Sequence, residues 1–333
     1  MPVSIAINGF GRIGRCVLRA LYEAGRDDLK VVAINDLAPA ETNAHLLRFD
    51  SVHGRFAADV VAGGDYIDVG GERIRVTAEP SPEKLPWGDV DVALECTGRF
   101  VKREAAARHL ENGAKRVLVS APCADADRTV VFGVNEGALE AGDLVVSNAS
   151  CTTNCLAPVA KALNDAVGIL KGDMVTIHAY TGDQPTLDTA HKDLYRARSA
   201  ALSMIPTTTG AAKAVGLVLP ELEGRLSGSA IRVPTPNVSC VDLTFHAARE
   251  TSVEEVNAAM RAAAAGPMNG VLAYDEAPKV SVDFNHDPAS SVFAPEQTRV
   301  SGGDLVRVLS WYDNEWGFSN RMLDVAAAMG RLG

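Results

Sequence analysis

A cysteine and a histidine in the middle of the chain are the residues best suited to covalent chemistry. Cys151 lies between a short apolar segment and the helical pattern of residues 156–166. A thiol at a helix N-terminus faces free backbone amides and the positive end of the helix dipole, which favour the nucleophilic thiolate. His178 lies in the apolar run 174–180 and is placed to accept the thiol proton. These residues predict a cysteine nucleophile that forms an ion pair with an imidazole.

Structural interpretations of the same residues stay open at this point. A free cysteine is commonly a small buried hydrophobic residue, and a single histidine is commonly a hydrogen-bonded core residue. Cys155, one helical turn beyond Cys151, is either a packed thiol or an oxidation partner. Because the two cysteines have no second pair at the spacing of metal ligands, no metal site is predicted.

A glycine-rich segment near the start of the chain predicts a dinucleotide-binding site. Gly9, Gly11 and Gly14 fit the pattern G-x-G-x-x-G between a predicted strand at 3–8 and a predicted helix. Glycines let the backbone approach a pyrophosphate closely, while the helix N-terminus supplies amide donors. Asp36 ends the second predicted strand, where a carboxylate accepts hydrogen bonds from ribose hydroxyls and repels a 2′-phosphate. NAD is therefore the predicted cofactor, and the alternative is an ordinary turn with a solvated Asp36.

Hydroxyls and cations elsewhere suit an anionic substrate. Residues 207–210, with the sequence Thr-Thr-Thr-Gly, precede another helical pattern, so hydroxyls and exposed amides lie together. Arg196, Arg198 and Arg232 offer planar donor groups that match phosphate oxygens. An isolated arginine is usually a solvated charge, so this clustering adds a modest preference for a phosphorylated substrate.

The elements that must position these residues follow two patterns. The first is a series of short apolar strands separated by helical or irregular segments, at 3–8, 30–35, 90–96, 116–120, 129–134 and 144–148. Such alternation, with a helix predicted at 102–112, is typical of a parallel sheet with right-handed crossovers. Gly70-Gly71 indicates a hairpin inserted in that sheet. The second pattern consists of longer strands with widely spaced helices, at 174–180, 229–233, 238–246 and 305–312.

The predicted fold class is α/β, with two domains. A chain of 333 residues exceeds the size at which a single core stops growing, about 250 residues. We predict a Rossmann-type parallel-sheet domain that binds NAD over residues 1–150, joined by a C-terminal helix at 315–333. We further predict an α+β catalytic domain with a mostly antiparallel sheet over residues 151–314.

The composition excludes several kinds of partner. The chain is 47% hydrophobic and 22% charged, with a net charge of −10. An acidic surface repels phosphate backbones and anionic lipid, so neither nucleic acid nor a membrane is expected as a partner. Polar residues interrupt the apolar core that a signal peptide needs, and we find no apolar run long enough to span a bilayer. A cytoplasmic location follows, with six cysteines kept as thiols.

Several segments together resemble the glyceraldehyde-3-phosphate dehydrogenase family from end to end. They are Ile7-Asn8-Gly9-Phe10-Gly11-Arg12-Ile13-Gly14-Arg15, Ser150-Cys151-Thr152-Thr153-Asn154-Cys155, His178-Ala179-Tyr180-Thr181-Gly182-Asp183-Gln184 and Trp311-Tyr312-Asp313-Asn314-Glu315-Trp316-Gly317. The resemblance implies that Cys151 is the nucleophile and that His178 activates it. It implies cofactor contacts from Arg12, Ile13, Asp36, Ser120 and Asn314. It implies that substrate and inorganic phosphate contact Ser150, Thr152, Thr181, Arg196, Thr209, Gly210 and Arg232.

The resemblance also implies a reaction. It is the NAD-dependent oxidative phosphorylation of D-glyceraldehyde 3-phosphate to 1,3-bisphosphoglycerate in glycolysis and gluconeogenesis, through a hemithioacetal and a thioester, in a homotetramer. The nearest alternative is an erythrose-4-phosphate dehydrogenase, which hydrolyses its acyl enzyme with water. A redox-sensing or nucleic-acid-binding protein that keeps the fold without catalysis is a further alternative, and the acidic charge counts against it.

Overall fold

The computed structural model describes residues 1–332, which divide into two compact units. Residues 1–150 and the chain from Ser319 onward form the first unit, and Cys151–Phe318 form the second. The strands of the first unit are β1 (Val3–Asn8), β2 (Leu29–Asn35), β3 (Phe49–Asp50), β4 (Gly54–Arg55), β5 (Val60–Ala62), β6 (Tyr66–Val69), β7 (Glu72–Thr77), β8 (Val90–Glu95), β9 (Ala114–Val119), β10 (Arg128–Thr129) and β11 (Val145–Ser147). Its helices are α1 (Arg12–Glu23), α2 (Ala40–Arg48) and α3 (Arg103–Ala107), with 3-10 helices at Pro82–Lys84, Arg108–Asn112 and Glu136–Ala138.

The first unit is built on a nine-stranded sheet in the order β10-β11-β9-β8-β1-β2-β7-β6-β5. The pairs from β10 to β7 are parallel, and only the β7-β6-β5 extension is antiparallel. Ile5 and Ile7 in β1 are both fully buried, as expected for a parallel sheet covered on both faces. The predicted parallel sheet and its inserted hairpin are confirmed.

The predicted strand at 129–134 is wrong beyond its first residue. Only Arg128–Thr129 pairs with β11, because the chain then turns at Gly133, whose φ is +82°. Asn135 holds the turn, since its Oδ1 accepts a hydrogen bond from the Val131 amide at 2.8 Å. The apolar residues there are buried without being in a strand, which an apolar pattern cannot distinguish. The predicted helix at 102–112 is α3 followed by a 3-10 helix.

The second unit contains the longer strands. They are β12 (Ile169–Ala179), β13 (Ile205–Thr208), β14 (Leu226–Val233), β15 (Ser239–Ala247), β16 (Leu272–Tyr274), β17 (Ser291–Phe293), β18 (Arg299–Ser301) and β19 (Leu305–Tyr312). Its helices are α4 (Cys151–Val167), α5 (Ala211–Val218), α6 (Val253–Ala265) and the start of α7 (Trp316–Gly330), with 3-10 helices at Pro220–Leu222, Ser281–Phe284 and Pro295–Gln297.

One sheet of eight strands organises the second unit. Its order is β13-β14-β12-β15-β19-β17-β16, and β18 also pairs with β19. Only β12 with β14 and β16 with β17 are parallel, so the predicted mostly antiparallel sheet is confirmed. Leu156 and Leu163 of α4 are fully buried and anchor the helix that begins at Cys151.

Among residues 1–332, no helix combines the length and the apolar character needed to cross a membrane.

Candidate active site

Each of the three glycines in the predicted dinucleotide motif is required, or left exposed, for a different structural reason. Gly9 has φ +92°, and a Cβ there would come within 2.7 Å of the Thr97 amide nitrogen. At Gly14 a Cβ would lie 2.2 Å from the Gly9 carbonyl oxygen. The start of α1 can therefore approach the end of β1 this closely only because residue 14 has no side chain. Gly11 has no such neighbour within 4 Å. The backbone at Gly11 is therefore open to a ligand's phosphates at the N-terminus of α1.

A cavity lies at the carboxyl ends of the parallel strands, where α/β sheets bind ligands. Its lining includes Gly9, Gly11, Asp36 and Thr97. Both oxygens of Asp36 are oriented by the backbone, since Phe10 donates to one at 2.8 Å and Ala38 to the other at 2.9 Å. Each oxygen keeps a lone pair for a ribose hydroxyl. The open backbone and the oriented carboxylate fit an adenine dinucleotide.

The remaining predicted cofactor residues of this unit surround the same strand ends. Arg12 and Ile13 lie in the first turn of α1. Arg12 donates to Asp50 at 2.5 Å. Although burial opposes it, this contact and backbone hydrogen bonds lower the pKa of Asp50 to about 2, so the carboxylate holds Arg12 in place. Ser120 follows β9, and its amide donates to the Glu95 carbonyl at 3.0 Å.

Cys151 is the first residue of α4 and follows a strained backbone position. Ala149 has φ +56° and is almost fully buried. A left-handed conformation costs a non-glycine residue about 1–2 kcal/mol, and such strain clusters at functional sites. Ser150, which is half-buried, joins it to the helix. The prediction that Cys151 lies at a helix N-terminus is confirmed.

The register of the second sheet brings His178 beside Arg232. The two residues are direct neighbours on the parallel strands β12 and β14. Nε2 of His178 lies 3.4 Å from Sγ of Cys151. On the other side of the ring, Nδ1 lies 2.6 Å from the Ala179 carbonyl oxygen and 3.0 Å from Nη1 of Arg232.

These distances assign the tautomer of His178. A carbonyl oxygen only accepts, so the short contact to Ala179 requires a proton on Nδ1. The guanidinium of Arg232 only donates, and it has acceptors of its own in the Ala179 carbonyl and the Thr181 hydroxyl, both at 3.0 Å. Nε2 is then the unprotonated nitrogen and accepts a hydrogen bond from the thiol of Cys151. This is the arrangement of a general base beside a nucleophile.

The surroundings of the two side chains oppose the predicted ion pair in the free protein. Burial and the charge of Arg232 lower the pKa of His178 to about 3. Burial also raises the pKa of the Cys151 thiol, although Arg232 and hydrogen bonds from the start of α4 lower it in part. The sequence argument weighed the helix N-terminus and omitted desolvation, which disfavours both charges. Desolvation therefore favours a neutral thiol hydrogen-bonded to a neutral imidazole, and the ion pair stays a prediction.

Iodoacetamide labelling tests this charge state. Because the thiolate is the reactive form, we expect labelling of Cys151 in the free protein to accelerate past the ordinary thiol pKa of about 8.5. Arg232→Gln removes a cation that favours the thiolate, so labelling at a fixed pH should slow several-fold. Arg198→Gln is the matched control, since Arg198 is exposed and pairs with Asp188 at 2.6 Å. Labelling that has already reached its plateau near neutral pH contradicts the neutral pair.

Arg232 also joins a second group of predicted residues. Its Nη1 donates to Thr181, whose hydroxyl in turn donates to Asp183. Arg196 donates to Asp183 at 2.8 Å and to Thr207 at 3.1 Å. Nε of Arg232 is buried without an acceptor among the described residues. Two arginines and a hydroxyl thus lie beside His178 with donor capacity for an anion.

Three other predicted substrate contacts lie outside the hydrogen-bonded group of Arg232 and Arg196, namely Thr209, Gly210 and Thr152. Gly210 precedes α5, and the Thr209 hydroxyl accepts a hydrogen bond from the Ala211 amide at 3.2 Å. The Thr152 hydroxyl is buried and lies 2.9 Å from the hydroxyl of Tyr312. In the free protein the Thr152 hydroxyl therefore makes a buried hydrogen bond next to Cys151.

Asn314 is held by a relay of hydrogen bonds. The Ala179 amide donates to Ser239 Oγ at 3.1 Å, and that hydroxyl donates to Asn314 Oδ1 at 2.8 Å. The side-chain NH2 group of Asn314 is thereby turned away from Ser239. Asn314 is nearly buried at the end of β19, in the same unit as His178.

Comparison with known proteins identifies the family of this chain. The profile of the NAD binding domain of glyceraldehyde 3-phosphate dehydrogenase matches residues 3–103, and that of its C-terminal domain matches residues 150–314. A glyceraldehyde-3-phosphate dehydrogenase of Cereibacter sphaeroides is 72% identical over 332 residues, covering 100% of both chains. Those of Xanthobacter flavus and Geobacillus stearothermophilus are 68% and 56% identical, again over 100% of both chains.

The chain belongs to the glyceraldehyde-3-phosphate dehydrogenase family.

The family profiles cover the sites just described. Every residue that lines the cavity of the first unit falls within the NAD-binding profile, and Cys151, His178 and Arg232 fall within the other. The predicted cofactor, NAD, is confirmed by this match.

Three residues that hold predicted site residues in place were not predicted from the sequence of this family member. Asp183 pairs with Arg196, Tyr312 bonds to Thr152, and Ser239 fixes Asn314. Although burial opposes it, the Thr181 hydroxyl and the Arg196 charge lower the pKa of Asp183. Only Asp183 had a signal in the sequence, as an acid shortly after the strand that carries His178.

Proposed function

We propose that this protein catalyses the NAD-dependent oxidative phosphorylation of D-glyceraldehyde 3-phosphate to 1,3-bisphosphoglycerate. The contact of 3.4 Å between Sγ of Cys151 and Nε2 of His178 carries the proposal. It couples a nucleophile to a base within a chain whose family binds NAD. The residues implied by the resemblance to hold substrate and cofactor keep those roles in this proposal.

The first chemical step uses only the chain's own residues. Sγ of Cys151 bonds to the aldehyde carbon while the thiol proton passes to Nε2 of His178. The protonated imidazole then gives that proton to the former carbonyl oxygen. A hemithioacetal on Cys151 and a neutral His178 result. The Cys151 amide and the protonated His178 stabilise the developing negative charge on that oxygen.

Oxidation and release follow on the same sulfur. Bound NAD supplies a hydride acceptor. Nε2 of His178 takes the hydroxyl proton as the hemithioacetal is oxidised to a thioester. Inorganic phosphate attacks the acyl carbon, the carbon–sulfur bond breaks, and Sγ takes the proton that His178 holds. The acyl phosphate leaves and the neutral pair is restored.

The donors around His178 fit the anions of this reaction. Arg232, Arg196 and Thr181 supply hydrogen-bond donors within one connected group. A phosphate group pairs bidentately with a guanidinium, which favours these arginines over lysines in such a site. We assign the substrate phosphate and inorganic phosphate to this group together with Thr209 and Gly210.

NADH formation with and without phosphate tests the proposal. We expect the purified protein to reduce NAD with glyceraldehyde 3-phosphate in repeated turnovers only when phosphate or arsenate is present. An erythrose-4-phosphate dehydrogenase would turn over with water alone and prefer the four-carbon aldehyde. NADH formation indifferent to phosphate would overturn the proposal.

Asp36→Ala should relax the preference for NAD over NADP. The oriented carboxylate accepts from ribose hydroxyls and repels a 2′-phosphate, so its removal weakens NAD binding and removes the repulsion. We expect the ratio of kcat/KM for NAD to that for NADP to fall about 10-fold or more. Asp59→Ala, an acid elsewhere in the same unit, is the control. An unaltered ratio places Asp36 outside the ribose site.

We also propose that the chain assembles as a homotetramer. Large apolar side chains are exposed between residues 187 and 204, including Leu194 at 82% and Leu202 at 77%. Such a concentration on one segment is typical of an interface. Light scattering should give the mass of four chains, and Leu202→Asp should reduce it. A single-chain mass at micromolar concentration contradicts this assembly.

A further inference from the structure

A buried carboxylate lies behind the wall of the cavity that Gly9, Gly11 and Asp36 line. Glu95 ends β8, and its side chain is fully buried, as is that of His109. Oε2 of Glu95 accepts hydrogen bonds from Asn8 Nδ2 at 2.6 Å and contacts His109 Nε2 at 2.9 Å. A buried carboxylate is destabilising unless donors surround it, and a hydrophobic pair is often as stable. Its presence here therefore needs a reason.

The charge of this group follows from its donors. The indole of Trp87 only donates, and its Nε1 lies 2.9 Å from His109 Nδ1, so Nδ1 is the acceptor. A neutral His109 then carries its proton on Nε2 and donates it to Glu95. Oε1 of Glu95 accepts from the Thr97 amide at 2.8 Å and also from the Thr97 hydroxyl. Four donors therefore converge on one carboxylate.

This carboxylate is one end of a chain of hydrogen bonds. Because Asn8 gives its NH2 group to Glu95, its Oδ1 is free to accept from Asn35 Nδ2 at 2.8 Å. Asn35 in turn accepts from the Glu79 amide and the Thr77 hydroxyl, both at 2.8 Å. Asn35 Nδ2 also donates to the Glu79 carbonyl at 2.9 Å, so the Glu79 backbone orients the Asn35 amide from its own side. The direct contacts of Glu95 with the cavity wall are therefore Asn8 and Thr97, which its acceptor-only carboxylate orients.

The chain ends in the cavity wall. Asn8, Asn35, Glu79 and Thr97 line the cavity, whereas Glu95 does not. They come from the carboxyl ends of β1, β2, β7 and β8, four adjacent strands of the sheet. We propose that Glu95 is a positioning residue that presets this wall, so that its negative charge sustains NAD affinity without touching NAD. This inference rests on the proposed cofactor site.

Glu95→Gln tests the proposal with almost no change in volume. The new NH2 group faces donors in either orientation, Asn8 and His109 on one edge or the Thr97 amide on the other, so one of the two contacts with the cavity wall is lost. We expect the Kd for NAD, from calorimetry, to rise about 10-fold, as for one lost hydrogen bond to a charged group. KM for NAD should rise similarly while kcat at saturating NAD stays within about two-fold. A purely structural role would lower Tm and leave the Kd unchanged.

Trp87→Phe separates the contact with His109 from the contact with Asn8. Without the indole donor, His109 can move its proton to Nδ1 and accept from the new amide at Nε2, whereas Asn8 remains a donor. The Kd for NAD of the double variant Trp87→Phe with Glu95→Gln should therefore stay raised, and Trp87→Phe alone should bind nearly as tightly as the wild type. Full recovery of affinity in the double variant would mean that His109 transmits the effect and would contradict the proposed contact through Asn8.

Thr97 keeps the test decisive if Glu95→Gln does not fold. Thr97→Val removes the hydroxyl that donates to Glu95 at a half-exposed position and should raise the Kd for NAD about three-fold. Thr97→Ser restores the hydroxyl and should recover most of the affinity that Thr97→Val loses. Unchanged affinity in Thr97→Val, or in folded Glu95→Gln, overturns the inference. Failure of the wild type to bind NAD would instead overturn the proposed function.

Discussion

Replacing Cys151 by serine should abolish turnover, with kcat lower by about 10⁴-fold or more. A serine hydroxyl is far less acidic than a thiol and its oxygen is a weaker nucleophile toward an aldehyde, so attack on the substrate is much slower. The acyl intermediate would also be an oxygen ester, which phosphate attacks more slowly than a thioester. Steady-state NADH formation measures the loss, and NAD affinity should change little because Cys151 is not among the proposed cofactor contacts.

Cys155→Ser is the matched control for this prediction. Cys155 lies one turn further along α4, is fully buried, and has Sγ 3.3 Å from Ser291 Oγ. Burial raises its pKa beyond that of an ordinary thiol, so the structure gives it no role as a nucleophile. We expect this variant to keep its turnover and to form an acyl adduct on Cys151 when phosphate is withheld. If mass spectrometry finds no adduct on Cys151 in the wild type or in Cys155→Ser, the thioester mechanism is contradicted.

The parts of the fold that were predictable are those set by local patterns. Buried parallel strands are continuous apolar runs, and the glycines at 9, 11 and 14 satisfy close approaches within a few residues of each other. The position of Cys151 followed from a helix that begins just after a short strand. Each of these features depends on contacts nearby in the sequence, which periodicity and spacing report directly.

The charge state of the site was not predictable because it depends on register. His178 and Arg232 are adjacent only through the pairing of β12 with β14, which are separated by β13 and α5 in the chain. That pairing buries the imidazole beside a fixed cation, and both effects oppose the expected ionisation. The Glu95 network was hidden for the same reason. Its central contact joins Asn8 to Glu95 across 87 positions of sequence, and an acid at the end of an apolar strand reads as a surface residue.

Replacing His178 by asparagine should lower kcat by about 10²–10⁴-fold, the usual contribution of a general base. Asparagine keeps a polar side chain beside Arg232, but it is too short to reach Sγ of Cys151 as Nε2 does at 3.4 Å. Thiol attack and oxidation of the hemithioacetal then both proceed without a base.

The primary isotope effect of His178→Asn tests which step His178 assists. Loss of the base slows the step in which the hydroxyl proton and the hydride leave together, so that step should become rate-limiting. A substrate deuterated at the aldehyde carbon should therefore show a larger primary isotope effect in His178→Asn than in the wild type. His246→Asn is the control, because that ring is 41% exposed and contacts Asp304 at 3.0 Å. A fall in kcat with no change in the isotope effect would mean that His178 orders the site rather than moving the proton, since a merely misplaced thiol slows attack and leaves oxidation untouched.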